Sequence, residues 1–400
     1  MSRRQDIAAD AARRSPEAPP RLAFYIHSMQ GGGAERVSAL VASGFAHRGY
    51  AVDLVLNRAE GPHMIFVAPE VRVISLNCDT IAAAPRLVRY LRESRPSFLV
   101  SALQHNNLNA AIAARLSGTP FAATVHGVMS VHRRNLRTSG AIGTVAQAIS
   151  PLLYRAADTI GVVSDAVCRD IPYAVKRPDK FHVLYNPVDT DHFSPKRRAG
   201  DEITTRLPLE DKSPIVLGVG RFDRAKNFDL LIRAVAAMQQ KLPARLVLLG
   251  EGPEGGRLEE LAAELGIAPR VFMPGFVTDP APWYRRAAVH AVASECEGFG
   301  NTIVESLATG TPVVIARCLG APEDLLGNGR FGAIVPADPA DMAAAFIDAI
   351  CSRPEPAPLI ARAQEFSLER CVDRYEAMIR TKCKSPRADL SGGGKRQCAA

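Results

Sequence analysis

Ile215-Val-Leu-Gly-Val-Gly220-Arg221-Phe-Asp-Arg-Ala-Lys226-Asn227 is an apolar run that closes on glycine and turns into a loop carrying permanent cations. A short, continuously apolar run of this kind reads as a strand buried on both faces, followed by a crossover helix. The same unit recurs along the chain. Strand-like runs fall at 22–28, 51–57, 71–76, 98–102, 121–126, 159–164 and 181–184 in the first half. In the second half they fall at 215–220, 245–250, 271–274, 289–293, 312–316 and 333–335. Their alternation with helix-length amphipathic segments predicts an α/β chain with parallel sheets covered on both faces. The stretch 186–211 is polar and contains Pro187, Pro195 and Pro208, which places a domain boundary there.

The expected organisation is a disordered segment at 1–20, a Rossmann-like domain at 21–190, a second at 191–366, a terminal helix at 367–384 and a disordered tail at 385–400. Two facing, doubly wound domains would bind ligands beyond the carboxyl ends of their strands, so the cleft between them is the expected site. The terminal helix follows Pro354, Pro356 and Pro358. Periodicity leaves open whether it caps the second domain or returns to the first.

Four hundred residues exceed what one core of ordinary size organises. An apolar fraction of 47% and a charged fraction of 22% are those of a soluble globular chain. Eight cysteines occur without a CxxC pair, which argues against a zinc site or a disulfide framework and fits a reducing compartment. No run of 18 apolar residues is available to span a bilayer. Residues 1–20 lack the apolar core of a secretory signal, so the expected location is cytoplasmic, extending to the inner face of the cytoplasmic membrane. Residues 1–190 hold 22 Lys+Arg against 14 Asp+Glu, and residues 191–400 hold 27 against 27, so the net charge of +8 sits in the first half. A basic half suits an anionic substrate, a membrane surface or nucleic acid. Nucleic acid is the weakest of these, with aromatics at 6% and no recognition motif.

Several motifs carry chemistry. Gly31-Gly32-Gly33-Ala34-Glu35-Arg36 follows the first strand and opens a helix. Glycines there let backbone N–H groups approach a phosphate at a positive helix end, and three exceed what a tight turn needs. Arg221 offers a forked guanidinium and Lys226 a mobile point charge; solvated surface cations are the plainer reading, and their place after a strand weighs against it. Glu297-Gly-Phe-Gly-Asn-Thr-Ile-Val-Glu305 sets two carboxylates eight positions apart around a glycine turn. Glu305 is suited to a ribose diol, and Glu297 to a reacting sugar that develops positive charge. His126 ends a strand beside Gly127, where a lone histidine is a candidate ligand contact; His105 is similar. Gly250-Glu-Gly252-Pro-Glu-Gly255 matches GxGxxG, but Pro253 interrupts it and no acid follows at dinucleotide spacing. Asp189-Thr-Asp191 reads as a turn rather than a metal pair. Arg133, Arg134 and Arg137 precede an apolar helical stretch at 142–153, which suits an interfacial contact or an anionic headgroup as well as a solvated helix end.

Taken together, GRFDRAKN, GEGP, ECEGFGNTIVESLATGTPVV and Gly320-Ala-Pro-Glu, with GGGAER, the VHG segment and Asn186-Pro-Val-Asp189, resemble the retaining GT-B glycosyltransferases of family 4. The resemblance runs over roughly 21–382. It implies a GT-B fold of two facing Rossmann-like domains with an inter-domain cleft. It places the acceptor on the first domain and a nucleotide-diphosphate sugar, UDP-sugar above all, on the second. Arg221 and Lys226 would then hold the diphosphate, Glu305 the ribose, and Glu297 the donor sugar with the backbone of Phe299 and Gly300 nearby. His126 would contact the sugar, Gly32 and Gly33 would close on the phosphates, and the terminal helix would cross back to the first domain. No metal or other cofactor is implied, because the two cations replace its charge. Asn301-Thr302 resembles the branch that transfers N-acetylhexosamines or galactose.

The expected activity is therefore a metal-independent, retaining hexosyltransferase acting on a glycan or lipid-linked acceptor in cell-envelope polysaccharide synthesis, with peripheral contact to anionic membrane. A nucleotide-sugar 2-epimerase, a phosphorylase of the same fold and a non-catalytic sugar-nucleotide-binding subunit are the alternatives. Intact Glu297 and Lys226 favour an enzyme over the last of these.

Overall fold

The structure is a computed structural model that describes residues 20–30, 32–128, 153–196 and 213–382. It divides into two compact units, one of residues up to Pro187 with those from Leu368 onward, the other Val188–Ser367.

The first unit is a seven-stranded sheet in the order β3-β2-β1-β4-β5-β6-β7. Its strands are β1 Arg21–Ile26, β2 Ala51–Leu56, β3 Arg72–Ser75, β4 Phe98–Ala102, β5 Phe121–Val125, β6 Thr159–Val162 and β7 Phe181–Val183. All neighbours pair in parallel. β1, β4 and β5 are buried along their whole length, as continuous apolar runs require. Helices α1 Gly33–His47, α2 Ala83–Ser94 and α3 Gln104–Ser117 are the crossovers from β1 to β2, β3 to β4 and β4 to β5. Asp53 on β2 is fully buried and is compensated by Arg21, Arg72 and the Tyr90 hydroxyl, which joins β1, β3 and α2 around one carboxylate.

The second unit is a six-stranded parallel sheet in the order β10-β9-β8-β11-β13-β15. The strands are β8 Ile215–Val219, β9 Arg245–Leu249, β10 Val271–Gly275, β11 Val289–Val292, β13 Val313–Ala316 and β15 Ala333–Val335. The main helices are α4 Phe228–Met238, α5 Gly255–Glu264, α6 Asn301–Thr309 and α7 Pro339–Ser352. A two-stranded pair, β12 Cys296–Glu297 with β14 Leu319–Gly320, stands apart from the large sheet. Sequence reading did not anticipate it, since two-residue strands carry no periodicity.

All thirteen expected strands are present in the two large sheets, most within two residues of their expected ends. In each sheet the strand order reverses at one place, between β1 and β4 and between β8 and β11. Loops leaving those strands open a crevice suited to ligands.

Helix α8, Leu368–Arg380, lies against α1 in the first unit. Val372, Tyr375, Met378 and Ile379 enter that unit's core. The approach needs Gly44 on α1, where an added Cβ would lie 2.6 Å from the Val372 side chain. Arg48 meets Glu376 and Asp373 at 2.9 and 2.8 Å, and the Tyr50 hydroxyl donates to Glu376 at 2.5 Å.

Candidate active site

At the crossover of the second sheet, two loops are built against each other. Beyond β8 the chain turns at Gly220, and the Asp223 carboxylate caps a single turn, Arg224–Lys226, by accepting the Lys226 backbone N–H at 3.2 Å. Asn227 takes a left-handed φ of +48° and starts α4. Beyond β11, Glu295 donates its N–H to the Ala225 carbonyl at 2.9 Å and ties the second loop to the first. The result brings Lys226 Nζ onto Glu297 Oε1. Ser294 Oγ donates to the same oxygen at 2.7 Å. The Glu297 side chain is 14% exposed, so this ion pair is largely out of water, where charge interactions are stronger. Arg221, by contrast, is 76% exposed and leans on Asp223 through Nε and Nη2 at 2.8 and 2.6 Å.

Glycines make these contacts possible. Gly320 has φ +118°, and a Cβ there would lie 1.7 Å from the Glu297 carbonyl oxygen, so β14 presses directly on the Glu297 backbone. Ala321 donates its N–H to that carbonyl at 3.1 Å. Gly250 and Gly252 do the same for the Arg221 loop: their added Cβ atoms would meet Gly220 O at 1.9 Å and Phe222 O at 2.4 Å. The GxGxxG pattern at 250–255 therefore seats one loop on another.

Gly300, with φ +103°, precedes α6. Phe299 is buried against the Phe366 ring at 5.6 Å. Glu305, one turn into α6, is only 4% exposed and accepts the Tyr284 hydroxyl at 3.1 Å. The Tyr284 ring meets His290 edge-on at 5.1 Å. His290, on β11, is fully buried, with Nδ1 on the Leu217 carbonyl at 2.9 Å and no partner for Nε2 among the described residues. Burial lowers its pKa to about 4, and the nearby Lys226 charge acts in the same direction, so the imidazole is neutral.

In the first unit, Gly32 follows β1 and donates its N–H to His63 Nε2 at 3.2 Å. The Glu35 carboxylate lies over it, 2.2 Å from where a Cβ would stand. Gly33 begins α1. Burial raises the Glu35 carboxyl and lowers the His63 imidazole. His126 follows β5; its Nε2 meets Thr124 Oγ1 at 3.0 Å, Nδ1 is buried without a partner among the described residues, and burial lowers its pKa to about 4. His27 after β1 and His105 at the start of α3 face each other at 6.2 Å across the crossover of that sheet. Arg133, Arg134 and Arg137 lie outside the described residues.

Asp189 accepts the His192 N–H at 2.9 Å in a turn. Among the described residues no three His, Cys, Asp or Glu side chains are grouped to hold a metal ion.

Sequence reasoning missed Ser294, Tyr284, His290, His63 and His27. His27 had a local signal, a histidine directly after a strand, and Ser294 stands three residues before Glu297; the others take their surroundings from partners on different elements.

Residues 31–192 match the family model described as Glycosyltransferase Family 4, and residues 213–352 match Glycosyl transferases group 1. The chain is 31% identical over 385 residues to the D-inositol 3-phosphate glycosyltransferase of Nocardiopsis dassonvillei, covering 87% of this chain and 89% of that one. It is a family 4 glycosyltransferase. The glycosyltransferase is also 29% identical over 334 residues to the N-acetylgalactosamine-N,N'-diacetylbacillosaminyl-diphospho-undecaprenol 4-alpha-N-acetylgalactosaminyltransferase of Campylobacter jejuni, covering 80% and 86% of the two chains. Its fold is that of Anabaena HepE, solved in complex with UDP and glucose, with a TM-score of 0.74 at 22% identity over 90% of this chain and all of that one. The glycosyltransferase is thus a GT-B enzyme of two Rossmann-like domains.

Proposed function

We propose that this glycosyltransferase moves a sugar, an N-acetylhexosamine by preference, from a UDP-sugar to a lipid-linked diphosphate acceptor, with retention of configuration and without a metal. The observation that carries the reading is the Lys226–Glu297 pair at the β8/β11 crossover with Arg221 beside it on the same loop. A diphosphate entering that crevice meets two permanent cations, which stabilise the charge that develops as it leaves. Glu297 faces the donor sugar and opposes its developing positive charge. Glu305, held by Tyr284, receives the ribose diol. The neutral imidazole of His126 binds by hydrogen bonds rather than by charge. The backbone N–H groups of Phe299 and Gly300 line the donor's path; Gly32 and Gly33, at the start of α1, are offered as phosphate contacts.

The reaction that fits is front-side displacement. The bond from the anomeric carbon to the phosphate oxygen breaks as the acceptor oxygen bonds to that carbon. The acceptor's proton passes to the departing phosphate oxygen, and no protein base is consumed. Capture of a glycosyl ester on Glu297 would instead establish double displacement. The UDP of the HepE complex and the undecaprenol-linked substrate in the name of the Campylobacter relative support the donor and acceptor classes, as does the basic first half.

The deciding experiment is nucleotide release from a panel of UDP-, GDP- and ADP-sugars in EDTA, with and without a crude lipid extract. Release from one UDP-sugar, boosted by extract, is expected. Release only after a divalent ion is restored overturns metal independence, and release from a GDP- or ADP-sugar alone overturns the base.

A further inference from the structure

We infer that Ser294 is a positioning residue that decides which oxygen of Glu297 is presented to the donor sugar; the inference rests on the reading that Glu297 meets that sugar. Ser294 is 3% exposed, and its hydroxyl donates to Glu297 Oε1 at 2.7 Å. Lys226 Nζ donates to the same oxygen. Among the described residues, the hydrogen bonds to the Glu297 carboxylate fall on Oε1. A carboxylate with both its donors on one oxygen keeps the lone pairs of the other for a ligand. The main chain of Glu297 is fixed independently, by the pressure of Gly320 on its carbonyl and by the Ala321 N–H. Both ends of the side chain are thereby set.

The two donors on Oε1 are not equivalent during turnover. Lys226 carries a charge, so an incoming diphosphate competes with Glu297 for it. Ser294 is neutral, sits at the base of the loop and has no reason to leave. It is the contact that holds Glu297 in place while Lys226 is drawn to phosphate. A reacting group displaced by about an ångström costs on the order of a hundredfold in rate.

The test uses the full chain, the UDP-sugar that the panel identifies, and UDP alone. Ser294→Ala should lower kcat by about 10- to 100-fold, the range set by losing a hydrogen bond to a charged group, while KM for the donor and the Kd for UDP by calorimetry stay within about twofold. Ser294→Cys, which fills the same space with a weak donor, should fall between, and Ser294→Thr, which keeps the hydroxyl, should recover most of the rate. Wild-type kcat in Ser294→Ala overturns the inference. So does a loss of UDP affinity equal to the loss of rate in both Ser294→Ala and Ser294→Cys, which is the mark of a purely structural role. A wild-type protein that binds UDP yet turns over no sugar nucleotide overturns the donor reading and this inference with it.

Discussion

In the proposed reaction Lys226 meets the leaving diphosphate, and its ion pair with Glu297 makes it informative to remove. Lys226→Ala should lower turnover by about 10²-fold or more, because stabilising a leaving group acts in the transition state; steady-state kinetics at saturating donor read this directly, and near-normal turnover would contradict the assignment. His290 gives a prediction of a different kind. Its pKa falls from 6.5 to about 4 on folding. Between those values the unfolded chain binds a proton there and the folded chain does not, so stability is full above 6.5 and is lost as pH falls toward 4. The loss amounts to roughly 3 kcal/mol when complete. His290→Asn keeps an amide donor at the position of Nδ1 for the Leu217 carbonyl and removes the titration, so its melting temperature should fall less than the wild type's between pH 7 and about 4.5. Parallel melting curves across that range would show that His290 is not the group responsible. Arg221, Lys226 and the two glutamates could be singled out as candidates because charge and spacing after an apolar run are local facts. Tyr284 and His63 could not, since their partners Glu305 and Gly32 are brought to them only by folding.

At the scale of elements, glycine does the work that spacing cannot reveal. Gly320 has a left-handed φ of +118° and no room for a Cβ; Gly49 has a φ of +82° and nothing within 4 Å. Gly49→Ala should therefore cost only the strain of the left-handed backbone, about 1 kcal/mol, with activity retained. Gly320→Ala must also push β14 off Glu297, and is expected to lower both the melting temperature and kcat by clearly more. Equal effects in the two variants would mean that the β12/β14 pair does not brace the site. The long strands were readable because a parallel strand covered on both faces is apolar throughout. GEGPEG was ambiguous because the same glycines serve a phosphate or a neighbouring backbone, and only the Gly220 and Phe222 carbonyls beside them show which.

For the molecule as a whole, the terminal helix decides what can be cut away. Ending the chain at residue 367 removes Val372, Tyr375, Met378 and Ile379 from the first unit's core and leaves Arg48 and Tyr50 without Glu376. Loss of soluble protein is the expected result; a soluble, active truncation would refute the role given to α8. The basic first half leads to a separate expectation. Arg133→Glu combined with Arg134→Glu should reduce co-sedimentation with vesicles containing anionic lipid, more so at low salt, and unchanged binding would remove the membrane contact. Helix α8 also sets an order of assembly. The second unit is one uninterrupted stretch, Val188–Ser367, whereas the first is split around it. Domains fold as units while synthesis proceeds. During translation the second unit can therefore finish first, and the half of the chain made earliest waits, its α1 face uncovered, until α8 emerges from the ribosome.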